Sequence, residues 1–324
     1  MVKYKKILIV CPANAVTGGP EALHQLAANM NSMGLPAYMC YLPFTEPSTA
    51  PQTYGRYNTK AMPYEDTKGN LIIFPEVEPM LALQVYHADA GLWWLSLDNF
   101  LERRHVSSFY DKIRYLKRVL QGRRPWGGAR SLSKLLHFSQ TEYSSQYLRK
   151  CDIEPIPLID SINEDFLTDR FLDRIDHKEN IILFNPTKGL RVTRKLIKSF
   201  PLWQFVPLEG LNREQLSKQF YQAKLYIDFG HHPGRDRMPR EAAMHGCCLI
   251  TGKLGSAGNN FDLPIPCRYK LDSNSPQIIK HFGEVASQIL NDFSYHYVAF
   301  NPYRKWLQDE PRIFKSQIND YFCK

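Results

Sequence analysis

The sequence contains no apolar run of the roughly 18 residues that a membrane-spanning helix requires. The apolar stretch at residues 7–11 is too short for the core of a secretion signal, and no small-residue cleavage site follows it. A buried first strand explains this stretch better. We therefore expect a cytoplasmic protein.

Motifs of several metal sites and enzyme classes are also absent. The seven cysteines are odd in number and lack metal-ligand spacing, which favours buried, reduced thiols. His231 and His232 are adjacent and have no third ligand nearby, so a zinc site is not expected. Neither the G-x-G-x-x-G fingerprint of dinucleotide-binding proteins nor the G-x-S-x-G elbow of hydrolases occurs.

Positive charge is abundant, with a formal net charge of +9 at pH 7. Such an excess favours polyanionic partners such as nucleic acid, an anionic membrane or phosphorylated substrates, and plain solubility is the alternative. Residues 103–130 contain nine Lys or Arg and one acid, Asp111. Their apolar residues recur at helical spacing, at Phe109, Ile113, Leu116 and Leu120. The pattern predicts a basic amphipathic helix, which either lies on an anionic membrane or packs on a sheet in the ordinary way.

Strand-like apolar runs alternate with helical patterns along most of the chain, which predicts an α/β protein with parallel sheets. The predicted strands are 5–11, 71–77, 91–97, 134–139, 181–184, 203–207, 224–228 and 247–251. Helices are predicted from about residue 20, over 142–150 and 191–199, and from Asn212, which has Gln215 as its capping-box partner. A short helix runs from Pro239 to His245 and is closed by Gly246.

The prolines of residues 151–158 suit neither a helix nor a central strand, so we place a linker at about 152–178. We expect an amino-terminal Rossmann-like domain at 1–160 and a carboxyl-terminal one at 161–300. The final segment, 301–324, is predicted to form a helix that returns to the amino-terminal domain. Its apolar residues at helical spacing are Phe314, Ile318, Tyr321 and Phe322.

Four loops follow predicted strands, where parallel α/β domains bind ligands at helix N-termini. They are 17–21 with Gly18 and Gly19, 185–189 with Lys188, 228–241, and 252–258. A tight turn, a surface lysine and a flexible connection are simple alternatives for the first, second and fourth. The third loop concentrates arginines, histidines and glycines more than a solvated loop would. Its candidate residues are Gly230, His231, Arg235, Arg237, Arg240 and Glu241.

Three segments resemble GT-B glycosyltransferases, particularly bacterial enzymes that build surface polysaccharides such as O-antigen or capsule. Residues 18–21 are similar to the family's amino-terminal glycine loop, and 93–99 to a tryptophan-rich strand end in some members. Residues 239–252 are the most specific, because they resemble the family's Glu-Ala helix, small-residue turn and following strand. The resemblance covers nearly the whole chain and implies the GT-B fold, with two Rossmann-like domains facing each other across a cleft. It implies that the amino-terminal domain, 1–160, binds the acceptor and that the carboxyl-terminal domain, 161–300, binds the nucleotide-sugar donor.

The resemblance also implies an activity and roles for single residues. A hexosyl- or deoxyhexosyltransferase would move a sugar from a nucleotide-diphosphate donor to a glycan or a lipid-linked oligosaccharide acceptor. By likeness, Glu241 binds the donor ribose, Lys188 neutralises the diphosphate, and Ser256 and Ala257 belong to the diphosphate loop. A lipid-linked acceptor would bring the protein to the inner face of the cytoplasmic membrane.

Two departures from common patterns bear on the mechanism. Many retaining members carry a second glutamate eight positions before the ribose-binding one, and Pro233 stands there, so inversion and retention both stay open. No Asp-x-Asp pair occurs, which disfavours a metal-dependent GT-A site, and we expect no metal or other cofactor. Positive charge at the departing diphosphate would then come from Lys188, Arg235, Arg237 and Arg240.

An inverting enzyme needs a general base on the amino-terminal side of the cleft. Asp98 is the first candidate because it follows a buried strand, and Glu21 and Glu76 are alternatives. An N-cap role explains Asp98 almost as well.

Two other classes of protein stay open. A nucleotide-sugar epimerase of GT-B shape would consume the donor without an acceptor. A nucleic-acid-binding protein without enzymatic activity would combine the basic charge with aromatic stacking. Most aromatic residues fall in strand-like runs and no recognition module is visible, so nucleic acid is not the expected partner.

Overall fold

The structure, a computed structural model, describes residues 3–44, 51–104, 129–167, 172 and 175–323. Most of the basic segment predicted at 103–130 lies outside these residues. The described part contains no helix of the length and apolar character that crossing a bilayer requires.

The chain folds into two compact units. The first unit consists of Met1–Asp160 together with Arg312–Lys324, and the second unit of Ser161–Pro311. The segment 301–324, predicted as a helix that returns to the amino-terminal domain, is one helix that the division crosses after Pro311.

A six-stranded parallel sheet forms the centre of the first unit, in the order β2-β1-β3-β4-β5-β6. Consecutive residues of its central strands are buried on alternating sides, which is typical of a parallel sheet covered on both faces. Ile7 and Ile9 contribute to one apolar core, and Leu8 and Val10 to the other. The strands are β1 (Lys6–Pro12), β2 (Ala37–Leu42), β3 (Asn70–Pro75), β4 (Asp89–Trp94), β5 (Leu136–Ser139) and β6 (Ile156–Pro157).

Helices cover both faces of this sheet. They are α1 (Gly18–Ser32), α2 (Pro79–Ala82), α3 (Leu97–Arg104), α4 (Glu142–Arg149) and the last part of the terminal helix Asn301–Phe322. Phe314, Ile318 and Phe322 of that helix are fully buried in the core that contains α1. The last part of the terminal helix, from Arg312 onward, therefore belongs to the first unit, whereas its first part belongs to the second.

The second unit contains a four-stranded parallel sheet in the order β10-β9-β7-β8. Its strands are β7 (Glu179–Phe184), β8 (Gln204–Pro207), β9 (Ala223–Asp228) and β10 (Cys248–Thr251). The helices packed around them are α5 (Leu190–Ser199), α6 (Arg213–Gln222), α7 (Arg237–Met244), α8 (Ile278–Asn291), α9 (Phe293–Val298) and the first part of α10 (Asn301–Phe322).

Local sequence signals predict several helix ends correctly. The side chain of Asn212 caps α6, and Gln215 completes the reciprocal capping box. Gly246 follows α7 with φ +81°, a backbone conformation that glycine adopts at little cost. The start of α7 was predicted two residues late: Pro239 is the third helical residue, not the first.

The predicted linker at 152–178 contains strand β6, which the sequence analysis does not predict. Pro157 lacks an N–H group, and an edge strand tolerates this loss because only one of its sides is paired. The N–H of Leu158 donates to the carbonyl oxygen of Ser139 at 2.9 Å and extends the pairing. Strand β2 and helix α8 were also not predicted, although α8 carries buried apolar residues at helical spacing, including Ile278, Phe282 and Ile289.

Candidate functional site

Three of the four predicted loops meet at the carboxyl edge of the sheet in the second unit. Residues 185–189 follow β7, 229–236 follow β9, and 252–255 follow β10. Because these strands are parallel neighbours, their carboxyl ends lie along one edge. Helices α5 and α7 both begin at this edge, so their N-termini add partial positive charge to it.

The loops approach each other closely at glycines. Gly189 has φ +68°, and a Cβ atom there would lie 2.5 Å from the carbonyl carbon of Phe229. Gly255 has φ +67°, and a Cβ atom there would lie 2.8 Å from the carbonyl carbon of His232. The N–H of Ser256 donates to the carbonyl oxygen of His232 at 2.8 Å. Side chains at these positions would separate the three loops.

Two cations and two carboxylates form a cluster where the loops meet. The ammonium of Lys188 pairs with Asp236 and lies 3.9 Å from Oδ2 of Asp228. The His232 ring lies between the carboxylates, with Nε2 3.6 Å from Oδ1 of Asp228 and Nδ1 3.3 Å from Oδ2 of Asp236. Lys188 and Asp236 retain 29% and 16% of their side-chain exposure, whereas the Asp228 side chain has none. Only the pair Lys188–Asp236 therefore faces solvent.

The pKa values in the cluster reflect competition between burial and charge. Burial disfavours the Asp228 carboxylate, but the nearby charges of His232 and Lys188 and the N–H of Gly230 together lower the pKa of Asp228 to about 2. Burial also disfavours the His232 imidazolium, yet Asp228 and Asp236 raise the pKa of His232 above its usual value. With His232 protonated, the four charges sum to zero.

Asp228, His232 and Asp236 also offer ligand atoms within 4.8 Å of one another, which is a possible metal-binding arrangement. Lys188 already pairs with one of the two carboxylates and is close to the other. A divalent cation at this position would have to move the ammonium away and take the imidazole as a neutral ligand. The two carboxylates are therefore better matched to Lys188 and a protonated His232 than to a metal ion.

We expect the contribution of His232 to stability to depend on pH with a definite sign. The pKa of a histidine in the unfolded chain is about 6.5. Because the folded state raises the pKa of His232, the folded protein binds more protons than the unfolded chain above this pH. The free energy of unfolding therefore falls as pH rises. The stabilisation is fully present below that value and disappears as pH rises through the raised pKa. Urea unfolding of the wild type and His232→Asn should differ more at about pH 5.5 than at about pH 8.5. An equal difference at both pH values would contradict the protonated state.

Two arginines predicted to bind the donor are held by a buried carboxylate of their own unit. Arg235 donates through Nη2 to Oε1 of Glu310 at 2.5 Å, and Arg240 donates through Nη1 to Oε2 at 3.1 Å. The guanidinium of Arg235 also lies 4.6 Å from the ring centre of Trp306. Arg240 donates further to the carbonyl oxygen of Arg235 at 2.8 Å. These contacts give both arginines a role in holding the loop before α7.

The other predicted donor residues surround the cluster. Arg237 is the first residue of α7, Glu241 lies buried on the same helix, and His231 is exposed beside His232. Gly230 packs against Lys188, because a Cβ atom there would lie 2.8 Å from the lysine chain. Ser256 and Ala257 are buried, and the Ser256 hydroxyl donates to the carbonyl oxygen of Gly234 at 2.6 Å. The fourth loop is thus fastened to the third.

In the first unit, Gly18 and Gly19 are the first two residues of α1, at the carboxyl edge of its sheet. Glu21 lies in the first turn, where Arg56 pairs with its carboxylate and the Tyr57 hydroxyl donates to it at 2.8 Å. Glu21 therefore lies in a polar cluster with Arg56 and Tyr57, which belong to the short 3-10 helix Gln52–Tyr57.

Asp98 lies in the first turn of α3, and the Tyr143 hydroxyl donates to its Oδ1 at 3.1 Å. It does not act as the N-cap, because the hydroxyl of Ser96 accepts the hydrogen bond from the N–H of Asn99. Glu76 is buried and accepts a hydrogen bond from the N–H of Leu95 at 3.1 Å. Asp98 therefore stays a predicted general base.

The tryptophans of the segment 93–99 are fully buried, Trp93 in one apolar core of the first unit and Trp94 in the other. The indole N–H of Trp93 donates to the carbonyl oxygen of Leu158 at 2.8 Å, and that of Trp94 to Nδ1 of His137 at 3.0 Å. Their contribution is to packing and not to a ligand site.

Four residues that determine the charge balance of this edge were not predicted to have a role in it: Asp228, His232, Asp236 and Glu310. Asp228, His232 and Asp236 lie in the third predicted loop and could have been noted there as acids and a histidine among cations. The pairing of Glu310 with Arg240 could not be recognised in the sequence, because the two residues are 70 positions apart along the chain.

No family model matches the sequence, and the search of curated proteins gives no match. Solved structures do match the fold over almost the whole chain. Sucrose-phosphate synthase from Thermosynechococcus elongatus superimposes with a TM-score of 0.65 at 11% identity, covering 98% of this chain and 98% of that one. The chain has the GT-B fold. At this identity the likeness concerns the fold.

Two further structures give the same result. HepE from Anabaena, solved with UDP-glucose, has a TM-score of 0.62 at 8% identity, covering 97% of this chain and 98% of that one. The catalytic domain of starch synthase IV from Arabidopsis thaliana, solved with ADP and acarbose, has a TM-score of 0.56 at 12% identity, covering 100% and 99%. The predicted fold class is thereby confirmed.

Proposed function

We propose that this protein is a glycosyltransferase that takes its donor sugar from a nucleoside diphosphate. The observation that carries the proposal is the position of Lys188, whose ammonium is partly exposed at the carboxyl edge of the second sheet in a GT-B fold. Ligands of parallel α/β domains bind at this edge, where helix N-termini attract anions. Two GT-B proteins of similar fold were solved with UDP-glucose and with ADP.

The donor is proposed to bind with its diphosphate at Lys188 and the N-termini of α5 and α7. Glu241, on α7 and within the same unit, is the proposed partner of the ribose hydroxyls. Arg235 and Arg240 are proposed to support the loop through Glu310 and not to contact phosphate, because that carboxylate already binds both guanidinium groups. His231 and Arg237 border the diphosphate position in this proposal.

We propose that the departing diphosphate is stabilised by these fixed charges without a metal ion. The internal cations of the cluster already balance Asp228 and Asp236, which supports this part of the proposal. In an inverting reaction Asp98 would take the proton from the acceptor hydroxyl, and Glu21 is the alternative. The proposed acceptor is a glycan or a lipid-linked oligosaccharide in bacterial polysaccharide synthesis. It is proposed to bind to the first unit, which contains Asp98 and Glu21.

A thermal-shift screen with UDP, dTDP, GDP, CMP and ADP in EDTA should identify the donor nucleotide. A ligand that binds only the folded state stabilises it by about 2.7 kcal/mol at 100 times its Kd. Glu241→Ala and Lys188→Met should each abolish the shift, whereas Glu284→Ala on the exposed side of α8 should leave it unchanged. Asp98→Asn should keep the shift and lose turnover of the matching nucleotide-sugar with its acceptor.

Other outcomes would redirect the proposal. Stabilisation by RNA or DNA and by none of the nucleotides would favour the nucleic-acid-binding alternative. Consumption of the nucleotide-sugar without an acceptor would favour an epimerase. Full turnover in Asp98→Asn would remove Asp98 from the mechanism and leave Glu21→Gln as the next variant.

A further inference from the structure

Asp236 stands at the N-cap position of α7 without capping the helix. Its backbone is extended, with φ −60° and ψ 132°, and its side chain accepts no hydrogen bond from the first turn. An aspartate at this position normally accepts one from the N–H two or three residues later. The third helical residue is Pro239, which has no N–H, so Met238 carries the N–H that the carboxylate could accept. The capping role of Asp236 is thus left unused.

The carboxylate of Asp236 is turned toward the cations of the cluster instead. It pairs with Lys188 and lies 3.3 Å from Nδ1 of His232. His232 and Lys188 both remain near Asp228 as well, which is fully buried and fixed by the N–H of Gly230 at 2.9 Å. Of the two carboxylates, only Asp236 can leave the cluster without moving a buried residue.

We propose that Asp236 is an internal counter-ion of the anion site, and that a bound diphosphate takes its place on Lys188. The identity of the diphosphate as a sugar-nucleotide rests on the proposed function, whereas the exchange of anions rests on the cluster alone. The released carboxylate turns to the N-terminus of α7 and accepts the hydrogen bond from Met238. Asp228 stays with His232 and keeps the lysine in position during the exchange.

The exchange has a consequence for affinity. Any anion that binds Lys188 competes with Asp236, so removing the carboxylate charge strengthens anion binding. Because the pair is partly exposed, the gain is modest, about twofold to fivefold in Kd. A ligand without phosphate does not compete and gains nothing.

Asp236→Asn is the variant that isolates the charge, because asparagine has the same shape and caps helices equally well. Calorimetric titrations of wild type and variant would use inorganic pyrophosphate, the nucleoside diphosphate found in the screen, and its parent nucleoside. We expect tighter binding of the first two by about twofold to fivefold and unchanged binding of the nucleoside. Asp165→Asn, on an exposed turn of the same unit, changes the net charge equally and should have no effect.

Further variants test each part of the exchange. The gain should disappear in Asp236→Asn combined with Lys188→Met, because the lysine is the site of competition. Asp236→Ala should gain less than Asp236→Asn, since alanine cannot cap α7 after the exchange. A melting temperature close to that of the wild type shows that each variant is folded.

The outcomes separate this inference from the proposed function. Equal or weaker pyrophosphate binding in Asp236→Asn would overturn the inference and assign Asp236 to positioning Lys188. Tighter pyrophosphate binding with no nucleoside diphosphate bound by either protein would support the exchange and overturn the nucleotide-sugar function. If neither protein binds pyrophosphate or a nucleotide, both proposals are wrong.

Discussion

Replacing Glu310 by alanine should destabilise the second unit by about 3–5 kcal/mol, the usual effect of removing one partner from a buried ion pair. Its carboxylate is fully buried and binds the guanidinium groups of Arg235 and Arg240. It also accepts the N–H of Ile162 at 3.2 Å, where the chain enters the second unit. Alanine would remove this carboxylate from two buried guanidinium groups and from the N–H of Ile162.

Urea unfolding followed by tryptophan fluorescence would measure this loss, because Trp306 lies beside Arg235. Glu284→Ala is the matched control, since it removes an exposed glutamate from a helix of the same unit; surface changes of this kind stay within about 0.5 kcal/mol. Glu310→Gln should fall between the two, because it keeps one of the two acceptor oxygens but loses the charge. A loss under about 1 kcal/mol in Glu310→Ala would mean that the arginines find other partners.

The second large effect is expected for Gly189→Ala, which should abolish nucleotide binding and lower the free energy of unfolding. Its φ of +68° costs an alanine about 1–2 kcal/mol. The new Cβ would also meet the Phe229–Gly230 backbone, which cannot move aside as a flexible side chain can, and such overpacking adds about 1–3 kcal/mol. The loop of Lys188 would then move away from Asp228 and Asp236.

Gly210→Ala provides the control for backbone conformation alone. Gly210 has φ +66°, and a Cβ atom there would have no neighbour within 4 Å. We expect it to lose only the conformational part of the stability and to bind the nucleotide normally. Equal losses in the two variants would show that the contact between the loops has no energetic importance.

Much of the fold could be predicted from the sequence because its signals are local. The buried apolar runs of β1 and β3 and the capping box of Asn212 each lie within a few consecutive residues. The apolar spacing of the terminal helix also predicted which side chains are buried in the first unit. Elements with weak local signals, such as β6, were missed because an edge strand of two residues forms only beside its partner.

The candidate site was predictable as a set of loops and not as a set of contacts. Alternating strands and helices place the carboxyl ends of parallel strands at one edge, so the loops with Lys188 and Arg235 could be singled out. The pairing of each cation with a particular carboxylate could not be predicted from the order of strands and helices. Arg235 and Lys188 are both cations in glycine-containing loops, yet one is buried against Glu310 and the other faces solvent beside Asp236.

The sequence by itself thus determined the α/β class, the alternation of strands and helices, and the positions of the candidate loops, because these depend on periodicity and on residues close along the chain. Only the tertiary structure decided that Glu310 pairs with both Arg235 and Arg240, and that Asp236 pairs with Lys188. Such pairs join residues 48 to 75 positions apart. Their choice depends on which charges burial brings together, since a buried charge must find a partner and an exposed one need not.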